Sequence, residues 1–265
     1  MVSPKDEIAG WMRSQVIAAG ARGLLVGLSG GVDSAVVARL CQIAMPEAML
    51  ALILPCHSSV EDERDARLVA DRFRLQTVTV RLDSAYDAIV ADLKTTLAPG
   101  QAGAGTSAGP PARERPALAA ANVKPRLRMT ALYFAANDLD YLVAGTGNRS
   151  EIAVGYFTKY GDGGVDLLPL GNLFKDEVRA LARELDVPAA IIEKAPSAGL
   201  WPGQTDEAEM GFTYPELETY LTGGPGAVAP SIALRIERSM QASDHKRRMP
   251  PVPPAHPGPG GYREA

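Results

Sequence analysis

The chain has only two cysteines, Cys41 and Cys56, and neither belongs to a Cys-x-x-Cys pair. That excludes a disulfide framework and offers no structural zinc site, so both thiols are expected as small core residues in a reducing, cytoplasmic protein. No apolar run approaches the roughly 20 residues needed to cross a bilayer. The N-terminal "MVSPKDEIAGWMRSQVIAAG" lacks the apolar region and cleavage site of a signal peptide. Basic charge is not in excess either: a net charge of −4 gives no global reason to expect a nucleic-acid partner. Membrane and nucleic acid are therefore not expected partners. No internal repeat interrupts the 265 residues, whose 46% hydrophobic and 22% charged content suits a globular protein with a sizeable core.

What is present is an alternation of short apolar runs and helical patterns. "GLLVGLS" (23–29), "MLALILP" (49–55), "QTVTVRL" (76–82) and "DYLVAGT" (140–146) read as strands covered on both faces. Helix-like stretches occupy 33–45, 59–73, 84–97 and 126–138, a fifth covers 171–188, and "DLLPLG" (166–171) reads as a short additional strand. Strand–helix repetition of this kind implies parallel pairing in a doubly wound α/β sheet, with ligands at the carboxyl ends of the strands. Residues 1–248 are expected as one domain. The Gly/Ala/Pro-rich stretch 98–116 is expected as a mobile loop within it, and the Pro/Gly-rich tail 249–265 as disordered.

The densest chemistry lies in "GLSGGVDS" (27–34). Gly30 and Gly31 permit a tight turn and close approach of a ligand, and a helix starting near Asp33 would aim its free N–H groups at an anion there. Ser29 and Ser34 add hydroxyls. The loop is not of the Walker type, because no Gly-Lys-Ser/Thr follows, and it lacks the third glycine of a dinucleotide fingerprint. Local sequence leaves Asp33 open between two roles: a helix cap, or a carboxylate that meets phosphate through magnesium.

Ser-Gly-Gly-x-Asp-Ser after a strand resembles the pyrophosphate loop of the N-type ATP pyrophosphatases. Downstream, "NVKPRLRMTALY" (122–133), "GTGNRSE" (145–151), "GYFTKYGDGGVDLLPLGNLFK" (155–175), "KAPSAGLWPGQTDEAEMGFTY" (194–214) and "DHKRRMPP" (244–251) resemble, in order, segments of the NAD synthetase family. The resemblance covers about residues 5–250. It implies a Rossmann-like, mostly parallel five-stranded sheet with helices on both faces. It also implies an ammonia-dependent ligase that amidates deamido-NAD through an acyl-adenylate, releasing AMP and pyrophosphate. ATP would be held by Gly27, Leu28, Ser29, Gly30, Gly31, Val32, Asp33, Ser34, Thr146, Lys175 and Ser197. Deamido-NAD would meet Arg126, Lys159, Asp166, His245 and Lys246, and Mg2+ would sit on Asp33 and Glu151.

The resemblance further implies a homodimer. Glutamine-dependent relatives carry an additional N-terminal amidase domain; only about two dozen residues precede the phosphate loop here, so free ammonia is the expected donor, with a separate amidase partner as the alternative. Taken alone, several of these residues have plainer readings: Lys175 as a solvated helix-start lysine, "DHKRR" as a solvated basic run, Thr146 as a helix cap and His57 as a turn residue. Two rival functions stand beside the main one. One is another adenylating enzyme of the superfamily, such as a tRNA-modifying one, disfavoured by the missing Cys-x-x-Cys and the acidic balance. The other is a nucleotide-binding regulatory module without turnover. The "TKYGDGG" loop, with Gly161, Gly163 and Gly164 around Asp162, is expected to order only when substrate arrives.

Overall fold

A computed structural model of the chain describes residues 3–97, 115–197, 199–201 and 203–253. Most of the 98–116 stretch and the tail beyond 253 therefore lie outside the described residues.

In chain order the first half contains α1 (Pro4–Ala18), β1 (Gly23–Gly27), α2 (Val32–Ala44), β2 (Met49–Ile53), α3 (Val60–Phe73), β3 (Thr77–Thr79) and α4 (Asp83–Thr96). There follow α5 (Arg115–Ala121), α6 (Val123–Leu139), β4 (Tyr141–Ala144), α7 (Arg149–Val154), α8 (Lys175–Glu184) and α9 (Ala189–Glu193). The last helices are α10 (Asp206–Met210), α11 (Tyr214–Gly223) and α12 (Pro230–Ala242), followed by a 3-10 turn at Asp244–Lys246. Among the described residues no helix is long and apolar enough to cross a membrane.

The four strands form one parallel sheet in the order β3-β2-β1-β4. Side chains of β1 alternate between the faces, as a strand requires. Leu24 and Val26 join a large core with α1, α2, α8 and α9, while Leu25 joins Leu52, Val143 and Ala136 under α4 and α6. A third cluster, built from Val154, Met210, Phe212, Tyr214, Leu217 and Ile236, ties α7 to the C-terminal helices. Helix α2 is buried along most of its length, because it lies between the sheet and α1 and α8.

Two expectations are corrected. Among the described residues the sheet has four strands, not five. Segment 166–171 contributes one parallel bridge, Ala144 to Leu167, and then stops. Pro169 has no N–H to continue a ladder, and Gly171 closes a turn onto the Leu168 carbonyl. Strand β3 is not covered on both faces: its three residues are exposed at the sheet edge. The "TKYGDGG" loop carries hydrogen bonds of its own. Thr158 N–H donates to Asp162 Oδ1 (2.9 Å), and the Thr158 carbonyl accepts from Gly161 and Gly163.

Candidate functional site

The loop after β1 leads into α2 at the carboxyl end of the sheet. Gly30 has φ +85°, and a Cβ there would lie within 3 Å of Asp62 O, Ala66 N and Asp65 Cβ on α3. Only glycine satisfies both demands. Ser34, which is buried, accepts from the Ser29 N–H (3.2 Å) and donates to the Gly31 carbonyl (2.9 Å), and Ser29 Oγ accepts from the Gly31 N–H (3.3 Å). Both hydroxyls thus shape the loop from within.

The two readings of Asp33 can now be separated. Gly31, not Asp33, is the N-cap residue of α2, and no side chain caps that helix. Asp33 sits two residues further in, at the second position of the helix. Its Oδ1 accepts from Asn148 Nδ2 (3.0 Å) and its Oδ2 from Lys175 Nζ (2.5 Å). Likewise Asn148, not Thr146, caps α7. It forms a reciprocal capping box with Glu151: the Glu151 N–H donates to Asn148 Oδ1 (3.1 Å), and the Asn148 N–H donates to Glu151 Oε2 (3.3 Å). Thr146 stands beyond the end of β4, beside the loop that follows β1.

Glu151 Oε1 accepts from the same Lys175 Nζ (3.1 Å). Lys175 is only 2% exposed, with its ammonium 5.1 Å from the Tyr214 ring centre. The solvated-lysine reading is therefore excluded. Its backbone N–H donates to Glu218 Oε1 (2.8 Å), which fixes the start of α8. Tyr214 Oη lies 2.9 Å from Asp206 Oδ2 and 3.2 Å from Glu151 Oε1, and Asp206 Oδ1 is buried without a hydrogen-bond partner among the described residues.

Burial pushes Glu151 up to about 7; Lys175 opposes that rise, and Asp33 and Asp206 add to it. Burial also raises Asp206. For Lys175 burial would lower the pKa, but Asp33 and Glu151 hold the ammonium above its ordinary value. Three carboxylates thus share one cation in a closed space.

Hard oxygen donors converging beside a phosphate loop suit magnesium, and the orphaned Asp206 oxygen marks unmet positive charge. The donor set fits the ion, with Asp33 and Glu151 as its holders. Among the described residues no group of three or more His, Cys, Asp or Glu side chains can hold a metal by itself.

Ser197 is exposed on the segment between α9 and α10. Lys194 ties this segment to Asp62 (2.9 Å) and Asp65 (2.8 Å), on the helix that backs Gly30. Lys124 Nζ donates to the Leu200 carbonyl (2.8 Å), and Gln204 Oε1 accepts from the Leu200 N–H (2.8 Å). The segment is thereby held beside the loop.

The basic residues gather at the other end of α7. Arg126 donates to the Lys159 carbonyl (3.3 Å), and Lys159 Nζ to the His245 carbonyl (2.5 Å). Lys246 Nζ donates to the Gly155 and Phe157 carbonyls (both 2.7 Å). In this form Lys159 and Lys246 stitch the 155–164 loop to the C-terminal turn. Asp166 lies by β4, where its oxygens accept from the Val143 N–H (2.8 Å) and Tyr133 Oη (2.9 Å). An open apolar groove between the C-terminal ends of α3 and α8, lined by Leu68, Val187, Pro188 and Ile192, stands apart from this chemistry.

Asn148, Lys194, Asp206 and Tyr214 were not singled out by the sequence. Only Asn148 carried a local signal, the Asn-x-x-Glu spacing of a capping box.

The fold and the site together define a parallel α/β nucleotide-binding protein, with an anion loop, an acidic pair at the strand ends and a basic shelf one helix away. Comparison with known proteins narrows the class. The model of the family described as NAD synthase matches residues 5–250. An NH(3)-dependent NAD(+) synthetase of Carboxydothermus hydrogenoformans is 52% identical over 94% of this chain and 96% of its own length. Among solved structures, an NMN synthetase from Francisella tularensis superposes with TM-score 0.84 at 36% identity, over 96% of this chain and 100% of that one. An NH3-dependent NAD synthetase from Campylobacter jejuni gives 0.73 at 28% identity, over 94% and 96%. The chain belongs to the NAD synthase family.

Proposed function

We propose that this chain is a C–N bond-forming ligase that amidates deamido-NAD to NAD with ATP and ammonia. The observation that carries the reading is the convergence of Asp33 and Glu151 on one cation site beside the anion loop, in a chain matched to its family over residues 5–250.

The substrate carboxylate is a poor acyl donor until its oxygen attacks the α-phosphorus of ATP and pyrophosphate departs. Ammonia then adds to the acyl carbon and AMP leaves, with a proton lost from nitrogen. The uncapped start of α2 and the Gly30–Gly31 turn receive the pyrophosphate. Asp33, Glu151 and Asn148 form a prearranged set of oxygens and donors at the same place. Magnesium held by that pair would neutralise charge on the phosphates. Arg126 and Lys159 offer positive charge to the dinucleotide phosphates, and Asp166 a carboxylate to its sugar or base. The chain supplies positioning and electrostatics, with no covalent nucleophile; Cys41 and Cys56 are both buried.

A second reading has its own observation. The neighbour with TM-score 0.84 is named an NMN synthetase, so nicotinate mononucleotide is the alternative acid. Both are tested by incubating the protein with magnesium, ATP and ammonium, and with either acid, following AMP and the amide by chromatography. The deamido-NAD reading predicts faster turnover of the dinucleotide. Preference for the mononucleotide shifts the assignment to the second reading, and ADP formation or no amide refutes both. A parallel arm with glutamine reports on the nitrogen donor: turnover with ammonium alone supports free ammonia, and a gain on adding an amidase supports a partner.

The protein is further proposed to be cytoplasmic and a homodimer. Ile89, Leu93, Leu118 and Phe134 are 40–77% exposed on α4, α5 and α6, where α6 packs against both of the others, an apolar surface suited to a second copy. Sedimentation at micromolar concentration should give twice the 28.0 kDa chain mass, and a monomer there refutes the pairing.

A further inference from the structure

Lys175 occupies the point where the two carboxylates converge. One nitrogen is bonded to Asp33 Oδ2 at 2.5 Å and to Glu151 Oε1 at 3.1 Å. An ammonium and a divalent ion bridging this same oxygen pair would lie within a few ångströms of each other in a closed space, where like-charge repulsion is weakly screened. The described residues supply no third His, Cys, Asp or Glu ligand at this point, whereas magnesium takes about six oxygens and keeps the remainder as water or phosphate. Metal alone would thus have to evict an ammonium from two direct carboxylate bonds within a buried space where, of the three carboxylates, only Asp206 is left to receive it. A metal–nucleotide complex brings both missing parts: phosphate oxygens to complete the metal shell, and phosphate charge to receive the displaced lysine.

We propose that Lys175 is the resident cation of the Asp33–Glu151 pair, exchanging with the metal only when nucleotide phosphates arrive, so that metal and nucleotide enter together. Lys175 is suited to the exchange by its place at the first residue of α8. The Glu218 carboxylate anchors its backbone N–H (2.8 Å), so the helix start stays fixed while the four-carbon stem swings. Asn148 keeps Asp33 in place during the exchange, through its bond to the other carboxylate oxygen (3.0 Å). Glu151 is held likewise: its other oxygen, Oε2, accepts from the Asn148 N–H (3.3 Å), and the Tyr214 phenol lies 3.2 Å from Oε1.

This inference rests on the assignment of Asp33 and Glu151 as the metal pair, and the test separates the two. Mn2+ binding is measured by electron paramagnetic resonance on the whole chain, with and without α,β-methylene-ATP. The variants are Lys175→Met, Lys175→Arg and Asp33→Asn. Wild type should bind Mn2+ alone weakly, and at least tenfold more tightly with the nucleotide. Lys175→Met should raise nucleotide-free Mn2+ affinity at least tenfold and lose most of the synergy, whereas Lys175→Arg should remain weak.

Unchanged or weaker nucleotide-free binding in Lys175→Met, with Asp33→Asn still abolishing the nucleotide-supported site, overturns the exchange and leaves the metal pair standing. Full Mn2+ binding in Asp33→Asn overturns both. Should Lys175→Met not fold, thermal melting of the wild type decides: Mn2+ alone should leave the midpoint unmoved, while Mn2+ with nucleotide raises it. A rise of several degrees with Mn2+ alone overturns the proposal.

Discussion

Gly155 ends the short helix that carries Glu151, and alanine there should damage the protein far more than alanine at an ordinary helix-ending glycine. Its φ of +67° and ψ of 32° place it in the left-handed region, where a side chain costs about 1 kcal/mol. A Cβ at 155 would also lie 2.1 Å from Ser243 Cβ and 2.4 Å from Ser243 Oγ. Ser243 cannot simply rotate aside, because its hydroxyl donates to the Val154 carbonyl (2.9 Å) and accepts from Arg247 Nη1 (2.8 Å). Overpacking of a fixed neighbour adds about 1–3 kcal/mol, so the total is roughly 2–4 kcal/mol.

Two controls isolate the packing component. Gly20→Ala has φ +66° and open space around the new methyl, so it should cost only about 1 kcal/mol. At Gly211 (φ +76°) the methyl meets the Arg235 guanidinium, a flexible tip that moves away, and the cost should stay near that of Gly20→Ala. Denaturant unfolding at fixed protein concentration ranks the three. Adding Ser243→Gly to Gly155→Ala should recover at least about 1 kcal/mol, because the coupled pair is in direct contact. Equal costs at Gly155 and Gly20, or no recovery in the double variant, would refute the clash.

Tyr214→Phe should raise the magnesium concentration needed for half-maximal pyrophosphate release several-fold and cost the fold about 1–2 kcal/mol, since the phenol is the buried link between Glu151 and Asp206; an unchanged magnesium requirement would show that the link does not position Glu151. Lys194→Met should cost about 1 kcal/mol near neutral pH, a modest figure because Lys194 and Asp62 are about 30% exposed and solvent screens the pair. Burial alone would raise Asp62, but bonds from Lys194 and Ser59 hold its carboxyl below the usual range. A depressed carboxylate contributes stability above its unfolded value, near pH 4, and loses it as pH falls through the lower folded value. The wild-type advantage over Lys194→Met should therefore be level from pH 6 to 8 and shrink below pH 4. An advantage that persists at pH 3 would assign the effect to packing of the lysine stem.

Much of the frame was legible in the residues. The unbroken apolar run at Leu24–Val26 and the Gly30–Gly31 turn before "VDSAVVARL" fix a buried strand, an anion loop and a helix by local chemistry. The edge was harder to see, because Thr77–Thr79 has the composition of a strand wherever it lies, and exposure depends on what packs against it. Pro169 carried the signal against a fifth strand, since an apolar run broken by proline cannot hold a ladder. At the site, the types and spacing of Asp33, Glu151 and Lys175 drew attention to all three. That they share one contact depends on partners 142 and 24 residues apart in the chain. Lys246 shows the converse difficulty: a lysine near a glycine-rich loop looks the same whether it awaits a phosphate or holds the loop's own carbonyls.

Helix α7 spans only Arg149–Val154, yet its first turn bears Glu151 and its end is gripped by Ser243, Lys246 and Arg247. At 1.5 Å per residue the acidic and basic regions are separated by less than about 10 Å of rigid backbone. The regions proposed here for the metal and for the dinucleotide therefore lean on one strut. The strut is braced by the final described turn of the chain, a stretch that in most proteins can be trimmed or tagged freely. In this fold, shortening the chain to the end of α12 would loosen the piece that carries Glu151, the glutamate proposed for the metal site, so the C-terminal turn supports that site rather than merely trailing from it.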